Sequence, residues 1–282
     1  ETMVDAKDVY FGVFDGVDKV FNSSDSGVVP KVNIAHDLNE NTMVYGTYSE
    51  GFRASGINRV RPAQTAFIPE TYKSDYLESL EFGFKSTMAD GRLILNGAYF
   101  MMDWNDFQST TYNLAFSPVA FVDNVGNAEI NGLELDATYK IDDSLTVSAY
   151  MVSNDPSLSQ DYYDVSGVLQ ANAGNKLAYV PELSYVLGLD KVLTIFGNPG
   201  YITIDYSHTG NRYTSQANDL KLPSYAIANM RIGMEADNRS IEMYLSNLTD
   251  ENGYLSRYND FGDIRRTQNR PRVIGLRFRY RY

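Results

Sequence analysis

The sequence predicts an all-β chain forming the wall of a transmembrane antiparallel up-and-down β-barrel. Three observations predict it: apolar and polar residues alternate with period two in segment after segment, short and long links succeed one another strictly between those segments, and aromatic residues are abundant. The 282 residues include 22 Tyr and 14 Phe against a single Trp. That balance suits strands and membrane-water interfaces better than helical cores.

The alternation is clearest at the end of the chain. There Ile274, Leu276, Phe278, Tyr280 and Tyr282 share one face, and Gly275, Arg277, Arg279 and Arg281 share the other. Three arginines on one face cannot meet a dry core, so that face meets water or an aqueous lumen lined with carboxylates. Other segments supply acids in the matching phase. Leu80, Phe82 and Phe84 alternate with Glu81, Gly83 and Lys85, and Leu133, Leu135 and Ala137 alternate with Glu134, Asp136 and Thr138. Ala228, Met230, Ile232 and Met234 oppose Asn229, Arg231, Gly233 and Glu235, while Ile241, Met243 and Leu245 oppose Glu242, Tyr244 and Ser246. The expected lumen-facing structural set is therefore Glu81, Lys85, Glu134, Asp136, Arg231, Glu235, Glu242, Arg277, Arg279 and Arg281.

Periodicity alone equally fits a soluble sandwich or propeller, where alternation separates core from solvent. Link lengths discriminate. The alternation places strands near 28–37, 41–51, 74–87, 92–107, 127–141, 144–154, 179–191, 200–210, 223–236, 239–248 and 271–282, with a twelfth strand if Val9 to Phe14 pairs. The short links are Leu38-Asn39-Glu40, Met88-Ala89-Asp90-Gly91, Asp142-Asp143, Gly197-Asn198-Pro199-Gly200 and Asp237-Asn238, all rich in turn-forming residues. The long ones lie near 52–73, 108–126, 155–178, 211–222 and 249–270. Tight turns at one end and long loops at the other are the asymmetry of an outer-membrane barrel, and a sandwich has no reason to produce it.

Composition removes other classes. A formal net charge of -12 argues against general affinity for nucleic acid. Cysteine is absent, which rules out disulfides and thiolate chemistry. No run of about 18 apolar residues exists to cross a bilayer as a helix. The start, Glu1-Thr2-Met3-Val4-Asp5, has no signal-peptide pattern. Only two histidines occur, His36 beside Asp37 and His208, both near strand ends. With no nucleophile elbow, phosphate loop or His-Glu-x-x-His, no catalytic residue, metal site or cofactor is expected.

Tyr48-Ser49-Glu50-Gly51-Phe52-Arg53, Leu80-Glu81-Phe82-Gly83-Phe84-Lys85-Ser86, Asn124-Val125-Gly126-Asn127-Ala128, Gly132-Leu133-Glu134-Leu135, Leu222-Pro223-Ser224-Tyr225, Asn247-Leu248-Thr249-Asp250 and the terminal aromatic Tyr282 follow one another in an order that resembles TonB-dependent outer-membrane receptors. The resemblance implies about 22 strands around an N-terminal plug, with a TonB box engaged by TonB of the inner-membrane energy-coupling complex. It implies that residues 1–282 are the C-terminal portion of such a barrel, eleven or twelve strands of it, with plug and early strands elsewhere in the full-length protein. It makes Tyr282 a membrane-insertion signal. It also implies import of a scarce extracellular solute, such as a ferric siderophore, through the outer membrane of a Gram-negative bacterium. The partners it implies are the plug, TonB, outer-membrane lipids, lipopolysaccharide and the small substrate. A passive porin-like channel and a soluble carbohydrate-binding β-protein remain open as alternatives.

Substrate contacts are then expected in the long loops. The candidate cations are Arg53, Arg59, Arg61, Arg257, Arg265 and Arg266, since guanidinium pairs with carboxylates bidentately. Arg53 has a second reading as the partner of a carboxylate across the barrel wall. The candidate aromatics are Tyr112, Phe116, Tyr162, Tyr163, Tyr213, Tyr254 and Tyr258, whose faces can hold planar chelates or sugars. The loop arginines equally suit anionic lipopolysaccharide, and loop-stem aromatics equally suit an interfacial girdle, to which Tyr99 and Trp104 are assigned.

Overall fold

A computed structural model describes residues 2–10, 19–58, 67–111, 120–260 and 263–281. Its centre is one sheet of eleven antiparallel strands in sequence order, each hydrogen-bonded to the next. We label them β1 (Lys31–Asn39), β2 (Thr42–Arg53), β3 (Asp75–Met88), β4 (Leu93–Asn105), β5 (Ala128–Lys140), β6 (Leu145–Leu158), β7 (Leu183–Ile195), β8 (Asn198–Thr209), β9 (Tyr225–Ala236), β10 (Arg239–Ser246) and β11 (Val273–Tyr280). Every one of the eleven strands read from alternation is present. Neighbours in sequence are neighbours in space throughout, as up-and-down connectivity requires.

The register keeps the two faces separate across the whole sheet. One row of paired residues runs Leu93, Tyr139, Val147, Leu189, Ile204, Met230, Leu245, Ile274 across eight strands. The adjoining row on the opposite face runs Lys140, Thr146, Asp190, Thr203, Arg231, Tyr244, Gly275. The apolar face is the uncovered one: Phe82 is 52% exposed and Leu276 74%. No second layer covers these side chains among the described residues, which excludes the sandwich reading. Buried apolar side chains instead gather at the long-loop end, and among the described residues Phe100 is the one large side chain buried well inside the sheet.

Aromatic rings lying over glycines hold the polar face flat. Tyr45, Tyr201 and Tyr244 stand opposite Gly83, Gly233 and Gly275 in register. A Cβ built on each of these glycines would meet the facing ring at 2.5 Å or less. The vacated space lets the rings lie along the sheet and reach the next strand, as in aromatic rescue. Tyr45 Oη donates to Glu81 at 2.7 Å and Tyr201 Oη to Glu242 at 2.6 Å. Glu242 also accepts from Arg277 at 2.7 Å, and Tyr244 carries that same guanidinium 5.7 Å above its ring. Asp136 accepts from Asn96 at 3.2 Å, and Lys85 Nζ lies 5.9 Å from the Tyr45 ring. Glu134, Arg231, Glu235 and Arg279 share this face by register. Arg281, just past β11, donates its backbone N–H to the Asn238 carbonyl.

Three expectations need correction. The turn between β7 and β8 is Phe196-Gly197, both at positive φ (49° and 81°), and Asn198, Pro199 and Gly200 already belong to β8. A two-residue hairpin turn needs left-handed backbone at both positions, so the strand begins immediately after. The twelfth strand expected at Val9 to Phe14 is replaced by a separate ribbon, Thr2–Tyr10 paired with Lys19–Gly27, and residues 11–14 lie outside the described residues. Trp104 belongs to the polar phase of β4 rather than to a girdle. It follows Phe100 and Met102 on that face, and its indole N–H is held by a carboxylate there.

The two faces make a measurable prediction. Replacing Met230 with Arg, in the apolar row, should cost about 2–4 kcal/mol in the membrane-embedded full-length protein, whereas Thr203→Arg in the polar row should cost little. Urea unfolding in lipid vesicles measures both, and equal costs would contradict the assignment of faces.

Candidate functional site

The five long loops all leave the same end of the sheet, after β2, β4, β6, β8 and β10. Each is stiffened by a short ribbon: Gly56–Ile57 with Thr71–Tyr72, Gln108–Thr111 with Phe121–Asn124, Tyr162–Tyr163 with Leu169–Ala171, Arg212–Tyr213 with Lys221–Leu222, and Tyr254–Asp260 with Asp263–Gln268. The N-terminal ribbon is tied to the same end. Asp25 accepts Ser55 N–H at 2.9 Å and the Ser55 and Ser74 hydroxyls, each at 2.6 Å. Those bonds, led by the Ser55 hydroxyl, hold its pKa below the usual carboxylate range.

At the loop bases, buried polar groups serve as anchors. Asp75, 1% exposed, pairs with the Arg53 guanidinium. It also accepts Trp104 Nε1 at 3.0 Å and the backbone N–H of Gln108 at 2.9 Å. Arg53 lies 4.9 Å above the Trp104 ring and donates to the Gln108 carbonyl at 2.8 Å. Gln108 in turn donates to the Ala54 and Lys73 carbonyls. Asn58 is fixed by Val122 in both directions, giving to its carbonyl at 2.6 Å and taking its N–H at 2.8 Å. Asn247, at φ 52° and 3% exposed, accepts Glu251 N–H and donates to the Glu251 and Arg270 carbonyls.

Above these anchors sits an apolar cluster of Phe107, Val125, Ala128, Leu158, Tyr162, Ala171 and Leu177. Tyr162 is 7% exposed and its hydroxyl donates to Asp123 at 2.6 Å. Burial pushes both groups' pKa values up, the phenol well beyond its usual range and the carboxyl above its own. Polar ties continue to the neighbouring loop, where Asn218 and Lys176 exchange side chain-backbone bonds at 2.7 and 2.8 Å. These loops form one packed layer.

The expected contact residues separate accordingly. Arg53 is consumed by Asp75, its register partner on the adjacent strand rather than an acid across the wall. Tyr162 is buried in the loop core and presents no free face. Tyr163 and Tyr258 are exposed, and Tyr213 is half-buried with Lys221 Nζ 5.9 Å from its ring. Tyr254, Arg257, Tyr258, Arg265 and Arg266 are brought together on one ribbon, where Arg266 lies 5.4 Å over Tyr254 and donates to its hydroxyl at 2.8 Å. Arg59, Arg61, Tyr112, Phe116 and Tyr282 lie outside the described residues. His36 and Asp37, being consecutive in β1, point to opposite faces and form no side-by-side pair. His208 stacks on Tyr185 at 4.9 Å on the apolar face.

Sequence reasoning missed Asp75, Asn58, Asp123, Arg212 and Asn218. Asn124 and Asn247 lay inside two of the motifs already noted, and both tie loops: Asn124 accepts Lys73 N–H and donates to the Lys73 and Asp106 carbonyls, as Asn247 does to Glu251 and Arg270. Asp75 begins a strand, and only its pairing with Arg53 reveals its partner.

A single-layer antiparallel wall with an exposed apolar face, a polar opposite face and all long loops at one end defines a segment of an outer-membrane β-barrel. A family model described as TonB dependent receptor-like, beta-barrel matches residues 4–248, and the chain belongs to that family. The pesticin receptor of Yersinia pestis is 22% identical over 266 residues, 91% of this chain and 36% of that protein. Among solved structures, the ferric yersiniabactin uptake receptor FyuA from Yersinia pestis superposes with a TM-score of 0.79 at 18% identity, covering 95% of this chain and 39% of that one. The siderophore receptor PiuA from Acinetobacter baumannii gives 0.78 at 17% identity, covering 99% and 39%. The chain thus spans little more than a third of the length of these relatives.

Two outcomes are expected for the loop layer. Asp75→Ala strands the Trp104 and Gln108 donors and should lower local stability by about 3 kcal/mol, read as faster amide exchange around residues 106–127 with the wall unchanged. A carboxyl whose folded pKa is raised favours the folded state at acid pH, and that advantage is lost as pH rises through the raised value. Exchange at residues 121–124 should therefore accelerate as pH rises through Asp123's raised pKa, after correction for intrinsic exchange rates, and Asp123→Asn should flatten the profile.

Proposed function

We propose that the chain is the C-terminal half of the barrel of an outer-membrane active transporter that imports a scarce extracellular chelate, a ferric siderophore or a solute like it, with energy coupled through TonB. The observation that carries this reading is the open eleven-stranded sheet with one face fit for lipid. An open edge cannot stand in hydrocarbon, so β1 and β11 each need a further neighbour, and a barrel of about twice this strand number supplies both. Such a barrel is wide enough to be filled by a plug rather than by side chains. Relatives named for ferric yersiniabactin uptake and for siderophore reception support the solute class. Within this reading the polar face meets lumen and plug. The exposed part of the loop layer, with Tyr163, Tyr213 and the Tyr254–Arg266 ribbon, contacts solute, and outward-facing loop arginines meet lipopolysaccharide. The barrel itself catalyses nothing.

The test is uptake of labelled ferric chelates by iron-starved cells that carry the full-length gene, with and without TonB. Import lost with TonB while surface binding persists is the expected result. Uptake that continues at the same rate without TonB would instead identify a passive channel.

A further inference from the structure

Among the described residues of the loop layer, one deeply buried base has no matching acid. Arg212 opens the short ribbon after β8 and is only 6% exposed. One amino group, Nη2, donates to the Tyr254 and Leu255 carbonyls at 2.7 and 3.4 Å. The other, Nη1, is buried with no hydrogen-bond partner, and no carboxylate pairs with this guanidinium among the described residues. On the neighbouring ribbon, Arg257 Nε is likewise buried and unpartnered. A buried guanidinium without counter-ion costs several kcal/mol, so the stranded Arg212 donor marks a place prepared for an anion.

Its position tells which side the anion comes from. Arg212 Cζ lies 5.5 Å from the centroid of Tyr225. Tyr225 pairs with Thr209 and belongs to the polar phase of β9. Its ring lies over Gly253, where a Cβ would stand 2.4 Å from it, so the last long loop descends onto the ring only because that residue is glycine. The guanidinium therefore sits over the polar face, at the floor of the loop layer, away from the lipid-facing side where lipopolysaccharide packs. The loop that covers Arg212 is also where arginines concentrate in an otherwise acidic chain: Arg257, Arg265, Arg266, Arg270 and Arg272 follow within it.

We propose that Arg212 forms an oxyanion site that takes a carboxylate of the imported solute, and that the loop after β10 parts from Arg212 to admit it. This rests on the import reading and narrows its solute to chelates that carry a free carboxylate. An internal source of the same chemistry exists, an acidic side chain of the plug or of another part of the barrel, and the experiment separates the two. The guanidinium fork suits a carboxylate bidentately once that loop withdraws the Tyr254 and Leu255 carbonyls from Nη2 and uncovers Nη1.

The test uses the purified full-length receptor in detergent with citrate as the carboxylate probe, titrated at constant ionic strength against chloride, and thermal unfolding as the readout. Citrate should raise the wild-type Tm in a saturable way. Arg212→Gln should weaken citrate binding by about tenfold or more, and Arg212→Lys should fall between. No citrate effect on the wild type overturns the proposal, because an internal acid then already occupies the guanidinium, and so does citrate affinity that is unchanged in Arg212→Gln. If Arg212→Gln cannot be purified folded, Arg212→Lys decides: unchanged citrate affinity in it counts against the site. TonB-dependent uptake of the native chelate is scored separately, so the carboxylate site can fail while the import reading stands.

Discussion

The constraint on which the structure depends is that a wall one side chain thick must meet two incompatible media at once. In a soluble domain a strand hides its apolar face against a second layer, and pairing errors are corrected by packing. Here there is no second layer, so face assignment rests on register alone. A slip of one residue anywhere between β1 and β11 would turn a row such as Leu189, Ile204 and Met230 inward and expose Asp190, Thr203 and Arg231 to hydrocarbon. The ladder fixes the register locally through tight turns, and the Tyr-over-Gly contacts fix it again inside the sheet. A ring that must lie on a glycine tolerates no other residue opposite it.

Those contacts also explain how charge is carried on the polar face. Tyr201 reaches from β8 to Glu242 on β10 across Gly233, and Glu242 is then shared with Arg277 on β11. The glycine is thus the means by which a tyrosine joins an acid-base pair that begins two strands away. Such a network keeps the carboxylates hydrogen-bonded when water is scarce beside a plug, and an isolated carboxylate in the same place would be costly.

The wall was legible in the sequence because the rule that builds it is periodic. All eleven strands follow from alternation, and their bounds miss by a few residues both at tight turns, as at Phe196-Gly197, and at the loop ends, where β6 runs on to Leu158 and β7 begins only at Leu183. The N-terminal ribbon escaped because Lys19–Gly27 is rich in serine and lacks any alternation. The loop layer was legible only as loops. Nothing periodic distinguishes Tyr162, sealed in a core, from Tyr163, exposed one residue later. Asp75 and Arg53 lie 22 positions apart and meet only because β2 and β3 pair in a particular register. Trp104 was misplaced for a related reason: its phase is that of Phe100, and an aromatic near a strand end suggests a girdle whichever face it occupies.

The two halves of the molecule are therefore stabilised by opposite means, and this bears on selectivity. The wall has almost no core and relies on the ladder and on lipid. The loop layer has a core of its own, with buried asparagines at its bases and an ion pair on the buried carboxylate of Asp75, so its stability does not come from the membrane. Loops held that way can keep one arrangement of contact groups without being fixed by the solute, which lowers the ordering cost of binding. The same rigidity makes an unmatched guanidinium conspicuous. In a flexible loop Arg212 would turn to water, whereas in a packed one it stays where the layer holds it, charged and short of an acceptor.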